Sequence, residues 1–374
     1  MRGATPAVLG VLLALLAPQT RGTSSDVPAS AWQHASPGRA IVLPDDHRSH
    51  PEYRLEWWYY TGNLFDAQQR RFGYQLTFFR VGVNRTPATR SRWAVRDVYM
   101  THLAVTDVEN RRHVAAERLN RAGVGWAGAS DRTYRVWNED WRGGLDGGRH
   151  VLAAAAPGAA VNLTLDEGKS AALHGRAGYS RKGASEGNAS HYYSLTRMPT
   201  RGTITVDGTA HRVTGTSWMD HEFGTTFLER AQAGWDWFSV QLDDGSELML
   251  FQLRDREGVP DPHSSGTLIP GAGAARPLTG AMFTLEAGRL WRSPSTGASY
   301  PVEWRVRIPG ERIDLKVGAA IDAQELSGLA SGVAYWEGAV DVEGTGHGRP
   351  ARGRGYLEMT GYAGRPMGEV MAPP

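Results

Sequence analysis

From Glu56 to Tyr362 the chain breaks at turn signals every few residues, and it carries almost no apolar stripe at helical spacing. That rhythm confines it to an antiparallel β fold. Glu56-Trp57-Trp58-Tyr59-Tyr60-Thr61-Gly62 reads as a strand, residues 72–80 as its hairpin partner, and residues 63–71 contain the turn. Residues 98–107, with His102 inside, form another strand. Residues 149–156 and 161–166 flank Pro157-Gly158, and 202–206 turns at Asp207-Gly208 into 211–215. A second series begins near Gly234, where 235–242 turns through Asp243-Asp244-Gly245-Ser246 into 247–254. Residues 281–285, 300–308, 312–317, 334–343 and 353–362 complete it, and Asp322-Ala323-Gln324-Glu325-Leu326 suggests one helical turn.

The two series echo one another. Glu56-Trp57-Trp58 opens a hairpin ending at Arg80, and Asp236-Trp237-Phe238 opens one ending at Arg254. With no cysteine in 374 residues, disulfides and thiolate chemistry are excluded, and the apolar core must hold the fold. Closing each series on itself removes the exposed edges such a chain would otherwise carry. The expected architecture is all-β, with two tandem antiparallel barrels over residues 51–228 and 229–366. A loose lead-in over 23–50 precedes them. Arg2 followed by an apolar run over 7–17 reads as a signal peptide, placed at 1–22. Export to the periplasm or medium follows, without a stable membrane anchor after cleavage. Lys+Arg (41) nearly equals Asp+Glu (39), which gives nucleic acid no basic patch to bind.

Chemistry concentrates in Trp218-Met219-Asp220-His221-Glu222-Phe223-Gly224, soon followed by Gly234-Trp235-Asp236-Trp237-Phe238. In a strand, Trp218, Asp220 and Glu222 point one way and Met219, His221 and Phe223 the other. The three polar neighbours therefore splay apart and cannot chelate together. No His-Glu-x-x-His is present, and Gly183-Ala184-Ser185-Glu186-Gly187 opens no helix as a nucleophile elbow would, so neither a metal nor a cofactor nor a serine nucleophile is expected. A carboxylate walled by indoles can hold a proton near neutrality, as an acid catalyst must. Asp220 and Glu222 can equally be strand-end acids satisfied by backbone or Arg partners. Glu56 can line the same cavity as Asp220 or serve as a framework acid pairing an Arg such as Arg80 across its hairpin. Asp236 is a second buried-acid candidate, and Glu337 a structural residue between the barrels.

Glu56-Trp57-Trp58-Tyr59, Ser190-His191-Tyr192-Tyr193, residues 218–225, residues 234–242, Tyr335-Trp336-Glu337-Gly338 and Gly353-Arg354-Gly355-Tyr356-Leu357-Glu358 occur in this order. Together they resemble the AttH-like branch of the carotenoid 1,2-hydratase (hydroxyneurosporene synthase) family, often labelled predicted secreted hydrolases. The resemblance implies lipocalin-like barrels and cofactor-free hydration of an isolated C=C bond. It implies Asp220 as proton donor, His191 as its partner, and Tyr193 and Trp218 as aromatic companions. Tyr193 stands where the hydratases carry Trp, Trp218 where they carry Tyr, and Glu222 where they carry Asn. Trp57, Tyr59, His102, Glu222, Trp235 and Trp237 are the candidate ligand-binding residues.

Two functions fit. One is an exported enzyme performing acid-catalysed hydration, or a related isomerisation or cyclisation, of a hydrophobic polyene or terpenoid-like molecule. The other is a carrier or periplasmic accessory protein that binds a lipid or hydrophobic metabolite unchanged. Members of this branch are often found beside export-type ABC transporter components, the partner that the second reading implies.

Overall fold

The computed structural model describes residues 32–371 except 88, 90 and 186, so the signal peptide expected over 1–22 lies outside the described residues. Among the described residues the only α-helix is the short Met367–Val370, and no helix is long and apolar enough to cross a membrane. Nearly everything else regular is strand, gathered into two large antiparallel sheets of thirteen and ten strands. The first spans Leu55–Phe65 to Thr209–Thr226, the second Gln232–Leu242 to Arg349–Met359.

Both sheets follow one plan. In the first, Leu55–Phe65 lies between its hairpin partner Arg71–Gly82 and the sheet's last strand, Thr209–Thr226. In the second, Gln232–Leu242 lies likewise between Glu247–Asp255 and Arg349–Met359. The first sheet curls into a nearly closed barrel, whose ends meet where Asn138 Nδ2 donates to the carbonyls of Tyr99 (3.3 Å) and Arg118 (3.0 Å). The second is a half-barrel sheet whose edge strands, Arg276–Thr279 and Thr284–Ala287, follow each other across the 3-10 turn Gly280–Met282.

Strand alternation divides the apolar side chains among three cores. Trp58, Tyr60, Phe72, Phe78 and Trp141 fill the first barrel, and Phe238, Leu250, Trp304, Leu315 and Trp336 the second. A third cluster, with Tyr59, Tyr192, Trp218, Trp237 and Phe251, lies where the sheets meet. Burying each such side chain stabilises by about 1.5–3 kcal/mol. Polar contacts also cross the seam: Arg71 reaches Asp341 (2.6 Å) and donates to the Val340 carbonyl (3.0 Å). Gly73 permits the close approach, since a Cβ there would sit 2.7 Å from the Tyr356 hydroxyl.

Two local expectations change. Over residues 32–50 the lead-in is docked on the barrel rather than loose: Asp46, His47, Ser49 and His50 are buried around the 3-10 turn Asp45–His47. Asp322 to Leu326 makes no helical turn, because Glu325–Leu326 pairs with the Tyr335–Gly346 strand. The Gln324 amide secures that pairing, donating to the Ala339 carbonyl (3.1 Å) and accepting from the Ala339 N–H (3.0 Å).

Candidate active site

A cavity of about 220 Å3 lies between the two sheets, outside both barrels. The barrel interiors are filled by their own aromatic cores, so the cavity is not a barrel interior.

Register builds the first wall. Across three paired strands of the first sheet, Trp57 aligns with Glu222 and Tyr192, and Tyr59 with Asp220 and Ser194. Trp57, Tyr59, Tyr192, Asp220 and Glu222 all line the cavity. The second sheet supplies the facing wall by the same logic: Glu337, Glu358, Trp237 and Phe251 align across four strands. These four residues, together with Trp235 and His102, also line the cavity.

Asp220 is enclosed by neutral donors. Its Oδ2 accepts from the Tyr192 hydroxyl (2.5 Å), and its Oδ1 accepts from Trp218 Nε1 (2.6 Å) and from the Ser194 hydroxyl. Trp237 Nε1 donates to the Tyr192 oxygen (3.0 Å), and the Ser194 hydroxyl also meets His174 Nε2 (2.6 Å). These bonded partners of Asp220 are all neutral. Burial pushes its carboxyl up to about 7, aided by the charge of Glu222 and opposed by the three donors. Glu222 differs, since it meets the Lys182 ammonium at 2.7 Å. Lys182 Nζ in turn lies 4.4 Å from the centre of the Phe251 ring.

The facing wall carries two more acids. Burial, with Asp220 and Glu222 nearby, pushes Glu358 up to about 8. Burial and the charge of Glu358 hold Glu337 well above the usual carboxylate range. The Tyr59 hydroxyl and Glu337 Oε1 make no hydrogen bond of ordinary geometry, but the two groups are close enough to shift each other's titration. His102 bonds to Tyr335 through Nδ1 (2.7 Å) and to Glu117 through Nε2 (3.0 Å). The site thus offers raised carboxyls and aromatic faces, with Lys182, Arg54 and Arg80 also on its wall.

His191 and Tyr193 are not part of it. They belong to the opposite face of the sheet, where His191 aligns with Phe223 and Glu56, and Tyr193 with His221 and Trp58. The pairing of Asp220 with His191 is therefore not formed. His191 packs against Tyr53 and Phe223, and burial pushes it down to about 4. Tyr193 bonds to His47 (2.7 Å) and His221 (3.0 Å). Glu56 meets Arg80 at 3.0 Å, and Asp236 meets Arg254 at 2.7 Å. Tyr192, Ser194, Lys182 and Glu358 were not singled out by sequence reasoning. Tyr192 sits beside His191 in the same aromatic run, and once Asp220 is fixed, strand parity selects Tyr192 and Ser194 over His191 and Tyr193.

The chain matches the AttH-like family over residues 34–362. A crystal structure of a protein described as AttH from Nitrosomonas europaea superposes with a TM-score of 0.81 at 34% identity, covering 89% of this chain and all of that one. Kievitone hydratase of Fusarium solani subsp. phaseoli is 23% identical over 171 residues, 45% of this chain and 48% of that protein. The chain thus matches about half the length of that curated relative. The crystal structure of kievitone hydratase from Nectria haematococca, 14% identical, has a TM-score of 0.69 over 89% of this chain and 96% of that one, a likeness of fold alone. By its match along most of its length, this chain belongs to the AttH-like family.

Proposed function

We propose that the cavity between the sheets is the active site of a cofactor-free enzyme that hydrates a carbon–carbon double bond in a small hydrophobic molecule, with Asp220 as the acid. The observation that carries this reading is a fully enclosed carboxyl, pushed up to about 7, facing aromatic walls and bonded by neutral donors. Asp220 gives its proton to one alkene carbon, leaving a carbocation on the other. The ring faces of Trp57, Trp235 and Trp237 stabilise that cation through their quadrupoles. Water then forms the new C–O bond and returns a proton to Asp220, so the sum is alkene plus water to alcohol. The Tyr59 hydroxyl and Glu337 carboxyl, which face the same cavity, hold the attacking water. The kievitone hydratase relative supports hydration as the reaction class. Isomerisation or cyclisation through the same cation needs only that water be kept from it.

A carrier needs the apolar walls but not a buried carboxyl whose bonded partners are neutral donors, which favours the enzyme. The test is incubation with a panel of apolar polyenes and terpenoids in 18O-labelled water. A labelled alcohol formed by wild type and absent with Asp220→Asn supports hydration. A ligand bound equally by both proteins, with neither converting any member of the panel, overturns it in favour of a carrier.

A further inference from the structure

The first barrel holds two groups in which a pair of imidazoles converges on one carboxylate. In the first, Glu56 Oε1 meets His50 Nδ1 (2.8 Å) and His221 Nε2 (3.0 Å). Its other oxygen accepts from Arg80 Nε (3.0 Å) and the Ser49 hydroxyl (2.8 Å). A guanidinium already supplies the positive charge there, and every donor and acceptor is used.

The second group is His47, His150 and Glu167, and among the described residues no Lys or Arg forms a salt bridge with it. His47 Nε2 lies 3.3 Å and His150 Nε2 3.7 Å from the same carboxylate oxygen, Glu167 Oε1. His150 Nε2 is buried and has no hydrogen-bond partner. Each ring is fixed from behind by a tyrosine: Tyr193 on His47 Nδ1 (2.7 Å), and Tyr60 on His150 Nδ1 (2.8 Å). Tyr60 is in turn bonded to Tyr134 at 2.6 Å. Such second ligands orient imidazoles around metals.

Tyr193 is itself held on the far side: its hydroxyl lies 3.2 Å from the Asp46 carbonyl and 3.0 Å from His221 Nδ1. In a tetrahedral zinc site with bonds of about 2.0–2.1 Å, neighbouring ligand atoms stand roughly 3.3–3.4 Å apart. The measured 3.3 and 3.7 Å are close to that spacing.

We propose that His47, His150 and Glu167 bind a divalent transition-metal ion, zinc by its donor set, which clips the docked 32–50 segment to the first barrel. Two imidazoles and a carboxylate are a zinc-type donor set. Glu167 is 41% exposed, so water can supply the fourth ligand from the solvent side. The three ligands come from separate places: the Asp45–His47 turn, the Arg149–Ala156 strand, and the residue two past Ala159–Leu165. The clip stands independently of the chemistry proposed at Asp220.

The full chain, stripped with EDTA, is titrated with zinc by calorimetry and melted with and without it, and cobalt(II) is added as a visible-absorption probe. One zinc per chain is expected, with a higher Tm and the absorption of tetrahedral cobalt. Glu167→Gln, at a partly exposed position, keeps the far-UV circular dichroism of wild type and weakens zinc binding by at least about 100-fold. His150→Gln does the same where it folds. Wild type that takes up no stoichiometric zinc, or a Glu167→Gln variant that binds zinc and cobalt as wild type does, overturns the site. In either case the group is an imidazolium–carboxylate pair instead.

Discussion

Glu56 and Asp220 are buried carboxyls on neighbouring strands of one sheet, yet they are driven in opposite directions. Burial acts to raise both. At Glu56, inside the barrel, the Arg80 guanidinium overrides burial with help from His221 and His50, and holds the carboxyl well below its usual range. At Asp220, on the cavity side, only neutral hydroxyl and indole donors oppose burial, and the carboxyl is pushed up to about 7. Between these two carboxyls burial does not differ; the guanidinium bonded to Glu56 does. A cation is not always enough, since burial still holds Asp236 above its ordinary value beside Arg254.

The largest expected effect separates the two chemically. Asp220→Asn keeps the fold and lowers turnover by about 10²–10⁴-fold, with hydrophobic ligand binding within a few-fold, read by steady-state kinetics and ligand fluorescence. A folded Glu56→Gln variant that loses turnover to the same extent would break the distinction. Next, Arg80→Met strands Glu56 without its cation and should cost about 3–5 kcal/mol in urea unfolding. A cost below about 1 kcal/mol would show that the cation does not decide.

A smaller effect is the pH slope. Unfolded, Asp220 titrates near its ordinary 3.8; folded, near about 7. Between those values the folded state keeps a proton that the unfolded state has lost, so raising pH lowers stability, by at most about 4 kcal/mol in all. Glu56 has the opposite sign: its stabilising contribution is present above its ordinary 4.5 and is lost as pH falls through the lowered folded value. Urea unfolding from pH 4 to 8 should show the downward contribution in wild type and not in Asp220→Asn. Equal slopes would place the Asp220 proton elsewhere. The smallest effect is Glu358→Gln: a group pushed up to about 8 is already neutral at pH 6, so stability there should change by less than about 1 kcal/mol. A loss of several kcal/mol would mean that Glu358 is ionised when folded.

Much of this was legible in the residues. Turn chemistry and alternation located most of the strands, and the matching Glu56–Arg80 and Asp236–Arg254 pairs are buried ion pairs opening the two sheets. Trp57, Tyr59, His102, Glu222, Trp235 and Trp237 all reach the cavity wall with Asp220. The partners of Asp220 were not legible, because a side chain's face follows from its own strand while its neighbours follow from register. Ser190-His191-Tyr192-Tyr193 offers two residues to each face, and only the pairing of Ser194 with Asp220 shows which two matter. Nor could spacing place His47 beside Glu167, since the two are 120 residues apart and meet only through closure of the barrel.

The position of the cavity has a mechanical consequence. Each half of the chain carries only one wall, Asp220 on one side and Trp237 with Glu358 on the other. Whatever fills the space touches both, so its affinity is also adhesion between the halves. A tight ligand works as mortar in the seam, and the concentration of that molecule sets how firmly the two sheets hold together.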